Sequence, residues 1–302
     1  MKPILISNSE IDRAKWNARV DASPNNSPFM YSWYLDVVCP RWEAIIMGDY
    51  ISIYPIPVKV KWGKKYLFQP PYYQKSSIIG TKNRAFSDFI WQTLGNYSFG
   101  DFNSTEKWGI QFKELNNYVL DLNQPEEVIR SGISKNHKRN MSKSKNAGNA
   151  VKLNSGLDYL EPLIQMFLAN KGKTIKKDLA AELETLKELC GTALKYSALE
   201  INCVYDQHDV LLGGIFIMKS RNRKVLMFMA NGSAARDSGA MHQLVAETIL
   251  DGSGNTSVFD FEGSMNPGIA RFYSGFGAIR ETYYHYKKAT LIRKLISGFK
   301  SS

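Results

Sequence analysis

Two carboxylates near the C-terminal end of the sequence carry side chains that could move protons. Asp260 and Glu262 lie two residues apart in a predicted strand, so both side chains are expected on one face of that strand. At the end of the strand, a carboxylate could accept the proton of an attacking amine. The alternative is structural, because an acidic pair at a strand end can also cap the helix that follows.

Tyr273 lies on the helix predicted after that strand, at the edge where open α/β sheets bind their ligands. Its hydroxyl could act as a general acid that protonates a departing thiolate or ribose oxygen. The sequence Phe-Tyr-x-x-Phe leaves a second interpretation open, in which the tyrosine packs in the core with its hydroxyl hydrogen-bonded.

A basic stripe follows one face of a predicted helix in the middle of the chain. Lys135, Arg139 and Lys143 recur every four residues, and Lys138 and Lys145 widen the stripe. It could bind the phosphates of coenzyme A, of a tRNA or of a sugar-phosphate acceptor. A solvated helix face is the alternative interpretation.

Polar and aromatic residues between prolines in the first half could line an acceptor pocket. Gln69, Tyr72, Tyr73 and Gln74 follow a predicted strand and come before a polar loop. Rings and amides held by prolines suit a substrate pocket between two lobes. The same residues could also form a rigid turn whose tyrosines cover the edge of a sheet.

The elements that must position these residues fall into two similar halves. Hydrophobic periodicity predicts α-α-β-β-β-α-β-β for residues 1–124 and β-α-α-β-β-β-α-β-α-β for the second half, 125–302. A helix over 125–148 would link the two lobes, and a basic amphipathic helix is predicted at 291–299. We therefore expect an α/β (α+β) protein with two lobes of the same topology, each a mixed, mostly antiparallel sheet flanked by helices.

The composition is that of a folded protein with a strong positive charge. Hydrophobic residues make up 44% of the 302, and the net charge of +11 favours polyanionic partners such as a phosphorylated cofactor, tRNA or an anionic lipid surface. The 3 cysteines and 4 histidines lack metal-ligand spacing, so we expect free thiols, no metal site and a cytoplasmic location. No apolar run suits a signal peptide or approaches the ~20 residues of a membrane span.

The segment 260–278 resembles a motif of the GCN5-related N-acetyltransferases (GNAT), which often carry N-x-x-A-x-x-L-Y-x-x-x-G-F there. This sequence follows the motif, with substitutions, at Asn266, Ile269, Phe272, Tyr273 and Gly277-Ala278. Its Asn-Pro-Gly-Ile and Phe-Gly variant is more similar to the Fem-like (FemAB-type) branch, whose members have two such lobes in tandem. Segments 32–36 and 69–74 are similar to parts of Fem-like chains, which adds Trp33 to the expected substrate-binding residues.

The resemblance also implies a cofactor loop. Members that use acetyl-CoA have [QR]-x-x-G-x-[GA] before a helix, whose N-terminal amides receive the diphosphate. Here Met241 replaces the small last residue and is expected to crowd the diphosphate. The expected cofactor-binding residues are Arg236, Gly239, Ala240, Asn266, Lys135 and Arg139.

The function that the resemblance implies is transfer of an acyl or aminoacyl group from acyl-CoA or aminoacyl-tRNA to a primary amine. The donor would lie between the strands predicted at 225–231 and 257–262, and the acceptor, for example a cell-envelope precursor, between the lobes. No covalently bound cofactor is expected. The alternative is a non-catalytic ligand- or nucleic-acid-binding module that has kept the fold and lost the donor loop.

Overall fold

The structure, a computed structural model, describes residues 1–98, 100–108, 112–154, 156–171, 179–254 and 256–288. The chain divides into two compact units, one formed by residues 1–115 with residues from 282 onward and the other by residues 116–281. The division into two lobes of equal topology near residue 124 stays a prediction. The helix predicted at 291–299 lies outside the described residues.

The first unit is built mainly from antiparallel strands. Its elements are β1 (Pro3–Ser7), α1 (Arg13–Asp21), α2 (Ser32–Val38), β2 (Glu43–Met47), β3 (Ser52–Ile56), β4 (Val58–Lys61), β5 (Lys64–Leu67), β6 (Ile79–Gly80), α3 (Arg84–Gly95), β7 (Gly100–Ser104), the first residues of β8 (Phe112–Asp121) and most of β14 (Ile279–Lys288). One sheet has the order β1-β2-β3-β6. β4 and β5 form a hairpin, and β5 pairs in parallel with β7 after the helical connection through α3.

Helix α3 shows how the sequence fixes this unit locally. The Asn83 side chain accepts a hydrogen bond from the backbone N–H of Phe86 and so caps the start of the helix. Phe86, Ile90 and Leu94 follow at four-residue spacing and are all buried. Their burial holds the helix against the core that lies under β2 and β3.

The second unit is a mixed, mostly antiparallel sheet with helices packed against it. Its further elements are α4 (Glu126–Gly132), α5 (Lys135–Asn146), β9 (Ala150–Lys152), α6 (Leu160–Lys171), α7 (Leu179–Lys195), β10 (Leu199–Tyr205), β11 (Leu211–Lys219), β12 (Arg223–Asn231), α8 (Ser233–Ser238), α9 (Ala240–Asp251), β13 (Val258–Gly263) and α10 (Pro267–Ser274). The strand order is β8-β13-β12-β11-β10-β9, in which β12 and β13 alone are described as a parallel pair. This arrangement confirms the predicted fold class.

The single helix predicted over 125–148 is two helices in the structure. α4 ends at Gly132, Ile133 has an extended backbone and a buried side chain, and α5 begins after Ser134. The Ser134 hydroxyl accepts a hydrogen bond from the N–H of His137 at 3.3 Å, which caps the new helix. The prediction was wrong here because the spacing of Ile133 fits a helix, whereas its extended backbone separates α4 from α5.

Candidate active site

The parallel strands β12 and β13 stay paired only near their beginnings. The register joins Arg223 to Val258 and Val225 to Asp260, and ends there, while β12 continues to Asn231. β13 continues along its other neighbour, β8. The two strands therefore part toward their carboxyl ends, which is the edge where open α/β sheets bind ligands.

A bulge in β12 lies at the point where the strands part. Phe216 and Ile217 are adjacent in β11, but they pair with Phe228 and Leu226, so Met227 is an extra residue in β12. A bulge bends its strand and increases the local twist. We attribute the departure of β12 from β13 just beyond Val225 to this bend.

A second bulge places Glu262 in an unusual backbone conformation. The register of β13 on β8 shifts between Asp260 and Gly263, and Glu262 has a φ of +58°. The left-handed region is unfavourable for a residue with a side chain and is found preferentially at functional sites. The bulge also interrupts the simple alternation that predicted Asp260 and Glu262 on one face of the strand.

Asp260 holds this bulge in place from a buried position. Its Oδ1 accepts a hydrogen bond from the N–H of Glu262 at 2.8 Å, and its Oδ2 lies 2.5 Å from Nη1 of Arg223. The Asp260 side chain is 1% exposed. Because both carboxylate oxygens are engaged, Asp260 is suited to positioning Glu262 and poorly suited to accepting a proton itself.

Tyr273 lies on α10 with its ring packed and its hydroxyl unengaged. The ring centroid is 4.9 Å from that of Phe261 and 6.1 Å from that of Tyr118. Within the described ranges, the hydroxyl forms no hydrogen bond, which differs from the predicted packing alternative. Burial, followed by the charges of Glu262 and Asp260, raises the pKa of Tyr273 to about 12. The tyrosine is therefore a protonated group near two carboxylates at neutral pH.

The residues expected to form the phosphate-binding loop are largely buried. Gly239 has a φ of +77°, and a Cβ atom there would lie 2.5 Å from the backbone oxygen of Asn140 in α5. Close helix packing therefore accounts for this glycine. Ala240 and Met241 are also buried, and the Met241 side chain packs in the core rather than over the loop. Arg236 is exposed and donates a hydrogen bond to Asn170.

The basic stripe lies on the exposed face of α5, and all five of its cations are exposed. The opposite face of α5 packs on α8 and α9, with His137 and Ser144 buried. His137 Nε2 lies 2.8 Å from the backbone oxygen of Phe272, and the N–H of Ser134 donates to Gly275 at 2.8 Å. These contacts tie the basic helix to the segment of α10 that carries Tyr273.

Asn266, which was predicted to bind the cofactor, has a structural role as a helix cap. Its Oδ1 accepts hydrogen bonds from the N–H groups of Gly268 at 2.8 Å and Ile269 at 3.3 Å, so it caps α10. The cap fixes the start of the helix on which Tyr273 lies.

The residues predicted as an acceptor pocket form a closely bonded loop in the first unit. The Gln69 amide donates to the backbone oxygens of Tyr73 and Gln74, and its Oε1 accepts from the N–H of Asn103 at 2.8 Å. The Tyr73 hydroxyl is bonded to Ser76 at 2.9 Å. Trp33 is buried and stacks on Tyr31, and Tyr72 is partly exposed with a φ of +58°. A role for these residues in binding an acceptor stays a prediction.

Arg223 and His137 are the residues of this site that sequence analysis missed. Arg223 ends a polar turn and looks like a solvated cation until β12 is set beside β13. His137 lies among the lysines of α5, where its burial depends on contacts with α9 and α10. A helical wheel of α5 would have placed His137 opposite the stripe, which was the available signal.

No protein family model matches the sequence, and no curated protein matches it. Among solved structures, FemX superposes with a TM-score of 0.73 at 9% identity, over 98% of this chain and 100% of its own. A C-terminal domain from Agrobacterium fabrum, assigned to a lysylphosphatidylglycerol synthetase, gives 0.61 at 12% identity over 96% and 95%. A tandem GNAT protein from the clavulanic acid biosynthesis pathway gives 0.54 at 8% identity over 95% and 98%.

These similarities extend over nearly the whole of this chain and of each neighbour, and at such low identity they concern the fold. They confirm the resemblance inferred from the segment 260–278. The chain has the Fem-like tandem GNAT fold.

Proposed function

We propose that this protein transfers an acyl or aminoacyl group from an activated ester to a primary amine. The observation that carries the proposal is the packing of Tyr273 on Phe261, the residue directly before Glu262, at the edge where β12 and β13 part. A protonated phenol and a carboxylate are the two groups that an acyl transfer to an amine can use. The fold of acyltransferring enzymes supports the same reaction class.

In the proposed reaction the amine nitrogen attacks the carbonyl carbon of the donor. A C–N bond forms, and the bond between that carbon and the leaving oxygen breaks. Glu262 accepts the proton that the nitrogen loses, Tyr273 gives its proton to the leaving oxygen, and a proton passing from Glu262 to Tyr273 restores both groups. Holding donor and amine together at this edge would provide most of the rate.

The acidity of Tyr273 favours an oxygen ester over a thioester as the donor. A thiol has an ordinary pKa near about 8.5, so a departing thiolate gains little from a tyrosine whose pKa is about 12. An alkoxide such as a ribose oxygen is far more basic and takes that proton readily. The buried Gly239 and Ala240 agree with this choice, because a CoA diphosphate would need their amides exposed.

The exposed cations of α5 suit the polyanionic body of an aminoacyl-tRNA. A single-sign surface attracts a nucleic acid through its phosphates, and this affinity decreases as salt increases. Through its buried face α5 is tied to the segment of α10 around Tyr273, so the basic stripe and the proposed acid belong to the same packed unit. The three buried thiols fit a reducing compartment, so we place the reaction in the cytoplasm.

The donor is tested by thermal unfolding with acetyl-CoA and, separately, with aminoacylated total tRNA. A ligand at a hundredfold excess over its Kd stabilises the folded state by about 2.7 kcal/mol, which a melting curve resolves. We expect stabilisation by the charged tRNA and none by acetyl-CoA. Arg139→Glu should weaken the tRNA effect, whereas Lys195→Glu, an equal charge reversal at the exposed end of α7, should preserve it.

Stabilisation by acetyl-CoA alone would instead identify a thioester donor and contradict the argument from the pKa of Tyr273. Stabilisation by tRNA in both charged and uncharged form, with no transfer to any amine, would favour the non-catalytic binding module. Met241, which was expected to crowd a diphosphate, packs in the core and therefore does not argue for that module.

A further inference from the structure

The hairpin formed by β4 and β5 projects an exposed tip from the first unit. Every residue of the segment 59–65, here called the tip segment, is exposed, whereas Val58 and Leu67 at its base are buried. The tip segment contributes nothing to the core of its unit. Its composition therefore needs an explanation other than folding.

The turn of the hairpin carries a tryptophan where a small residue would be more stable. Trp62 and Gly63 have φ angles of +51° and +70°, the left-handed pair that two-residue hairpin turns require. Asparagine and glycine are preferred at the first of these positions, and a large side chain there is strained. The Trp62 side chain is also 83% exposed, so packing does not compensate for the strain.

Most lysines of the tip segment lack an ion-pair partner among the described residues. Lys61 lies directly opposite Lys64 in the register, a pairing of like charges that destabilises a hairpin. Among the described residues Lys59, Lys61 and Lys64 have no ion-pair partner, whereas Lys65 lies 2.5 Å from Glu43. From residue 50 to residue 87 the sequence contains no aspartate or glutamate.

A cavity of about 370 Å³ adjoins the cationic face of the hairpin. Its walls include the rings of Trp62, Tyr66 and Phe68 and the side chains of Lys59 and Lys61, with Asp101 as the one acidic lining residue against two lysines. The ammonium groups lie over the rings, with Lys59 4.4 Å from the centroid of Phe68 and Lys61 4.4 Å from that of Trp62. Apolar surface and positive charge are therefore interleaved at this face.

We propose that the tip segment docks this protein on an anionic lipid bilayer. Trp62, with the exposed Val60 beside it, would enter the interface between headgroups and acyl chains, where tryptophan is favoured. The unpaired lysines would bind lipid phosphates, which relieves the repulsion between Lys61 and Lys64. Among the described residues, no helix is long and apolar enough to span a membrane.

A bilayer fits the tip segment better than a nucleic acid does. A single-stranded RNA site presents several exposed rings on which successive bases stack. Of the three rings at the cavity only Trp62 is exposed, since Tyr66 and Phe68 are half-buried and Lys59 lies over the Phe68 ring. The cations of the tip segment are all lysines rather than the arginines that bind phosphate in a bidentate way. This docking is independent of the proposed transfer reaction.

The test is co-sedimentation of the full chain with phosphatidylcholine vesicles, with and without about 30% phosphatidylglycerol. We expect binding to the anionic vesicles only, decreasing as salt is raised. Lys61→Gln with Lys64→Gln should lower the partition coefficient about 30-fold, at about 1 kcal/mol per lysine. Trp62→Asn, which suits the turn and should not unfold the hairpin, should lower it at least about tenfold.

The matched control is Lys2→Gln with Lys195→Gln, which removes the same charge from exposed positions outside both the tip segment and the basic stripe of α5. This variant should bind anionic vesicles as the unaltered chain does, because the tip segment is intact. Equal binding to neutral and anionic vesicles, or an equal loss in the control and the Lys61/Lys64 variant, would overturn the proposal. So would binding of a single-stranded RNA homopolymer that is lost with the Lys61/Lys64 change while vesicles do not bind.

Discussion

Removing the hydroxyl of Tyr273 separates proton transfer from packing at the proposed active site. Tyr273→Phe keeps the ring that contacts Phe261 and Tyr118. The hydroxyl forms no hydrogen bond within the described part of the chain, so its loss leaves no partner unsatisfied. We therefore expect the free energy of unfolding to change by less than about 0.5 kcal/mol.

The expected effect on the rate is much larger than the effect on stability. General acid catalysis contributes about 10² to 10⁴ in rate, which corresponds to about 3 to 5 kcal/mol in the activation barrier. The loss should depend on the donor, because a leaving group that departs without a proton needs no acid. With an activated aryl ester or a thioester, the loss should shrink to less than about tenfold.

The assay is single-turnover transfer from a charged tRNA to a primary amine, with the melting temperature recorded for each variant. Tyr118→Phe is the matched control, since it removes a hydroxyl from the neighbouring ring of the same cluster and should retain the rate. An unchanged rate in Tyr273→Phe, together with a stability loss of about 1 kcal/mol, would refute the reasoning. Tyr273 would then be a packing residue with a hydrogen bond.

Three further predictions concern residues around the site. Glu262→Gly should relieve the backbone strain at φ +58° and so raise the melting temperature, while the transfer rate falls at least about 100-fold. A lower melting temperature with a normal transfer rate would contradict this prediction. Gly239→Ala should lower the free energy of unfolding, measured with urea, by about 3 kcal/mol, because the added Cβ would meet the Asn140 oxygen. Unchanged stability with lost donor binding would instead support a phosphate-binding role for Gly239. Burial, followed by the neighbouring His137, lowers the pKa of His242 to about 4. Because a histidine of the unfolded chain has a pKa of about 6.5, the unfolded state binds a proton first as pH falls. The folded state should therefore lose about 1 kcal/mol of stability between about pH 6.5 and pH 4. Urea unfolding of His242→Asn should show a flatter pH dependence, and an unaltered slope would count against this assignment.

Much of the fold is encoded locally and could be predicted from the sequence. The three successive strands predicted in the second half are β10, β11 and β12, which are apolar and are each bounded by a polar turn. β1 and β6 were missed. β1 alternates weakly and leaves Ile4 and Leu5 largely exposed, and β6 has only two residues, so neither carries a clear period of two.

The chemistry of the site could be read from residue types, but its geometry could not. The sequence indicates that Tyr273 and Glu262 follow one strand end. It does not encode that β13 bulges at Glu262, because the bulge depends on the register between β13 and β8, which are far apart in the chain. The ion pair between Arg223 and Asp260 depends in the same way on the parallel register of β12 and β13.

In the predicted phosphate-binding loop, the sequence shows that a glycine is needed but not why. Glycine is required at position 239 both by a loop that binds diphosphate and by a helix that crosses closely at Asn140, and a single sequence does not distinguish these causes. Met241 was expected to crowd the loop, whereas it fills the core beside Gly213, which has no side chain to exclude it.

The most direct test of the proposed reaction is the mass spectrum of the products formed from charged total tRNA and a panel of primary amines. The account predicts an amide between an amino acid and an amine, with the ester of the tRNA consumed in equal amount. It also predicts that Glu262→Gln and Tyr273→Phe slow that reaction, and that acetyl-CoA yields no amide at a comparable rate. Amide formation from acetyl-CoA, with the charged tRNA left intact, would contradict the account.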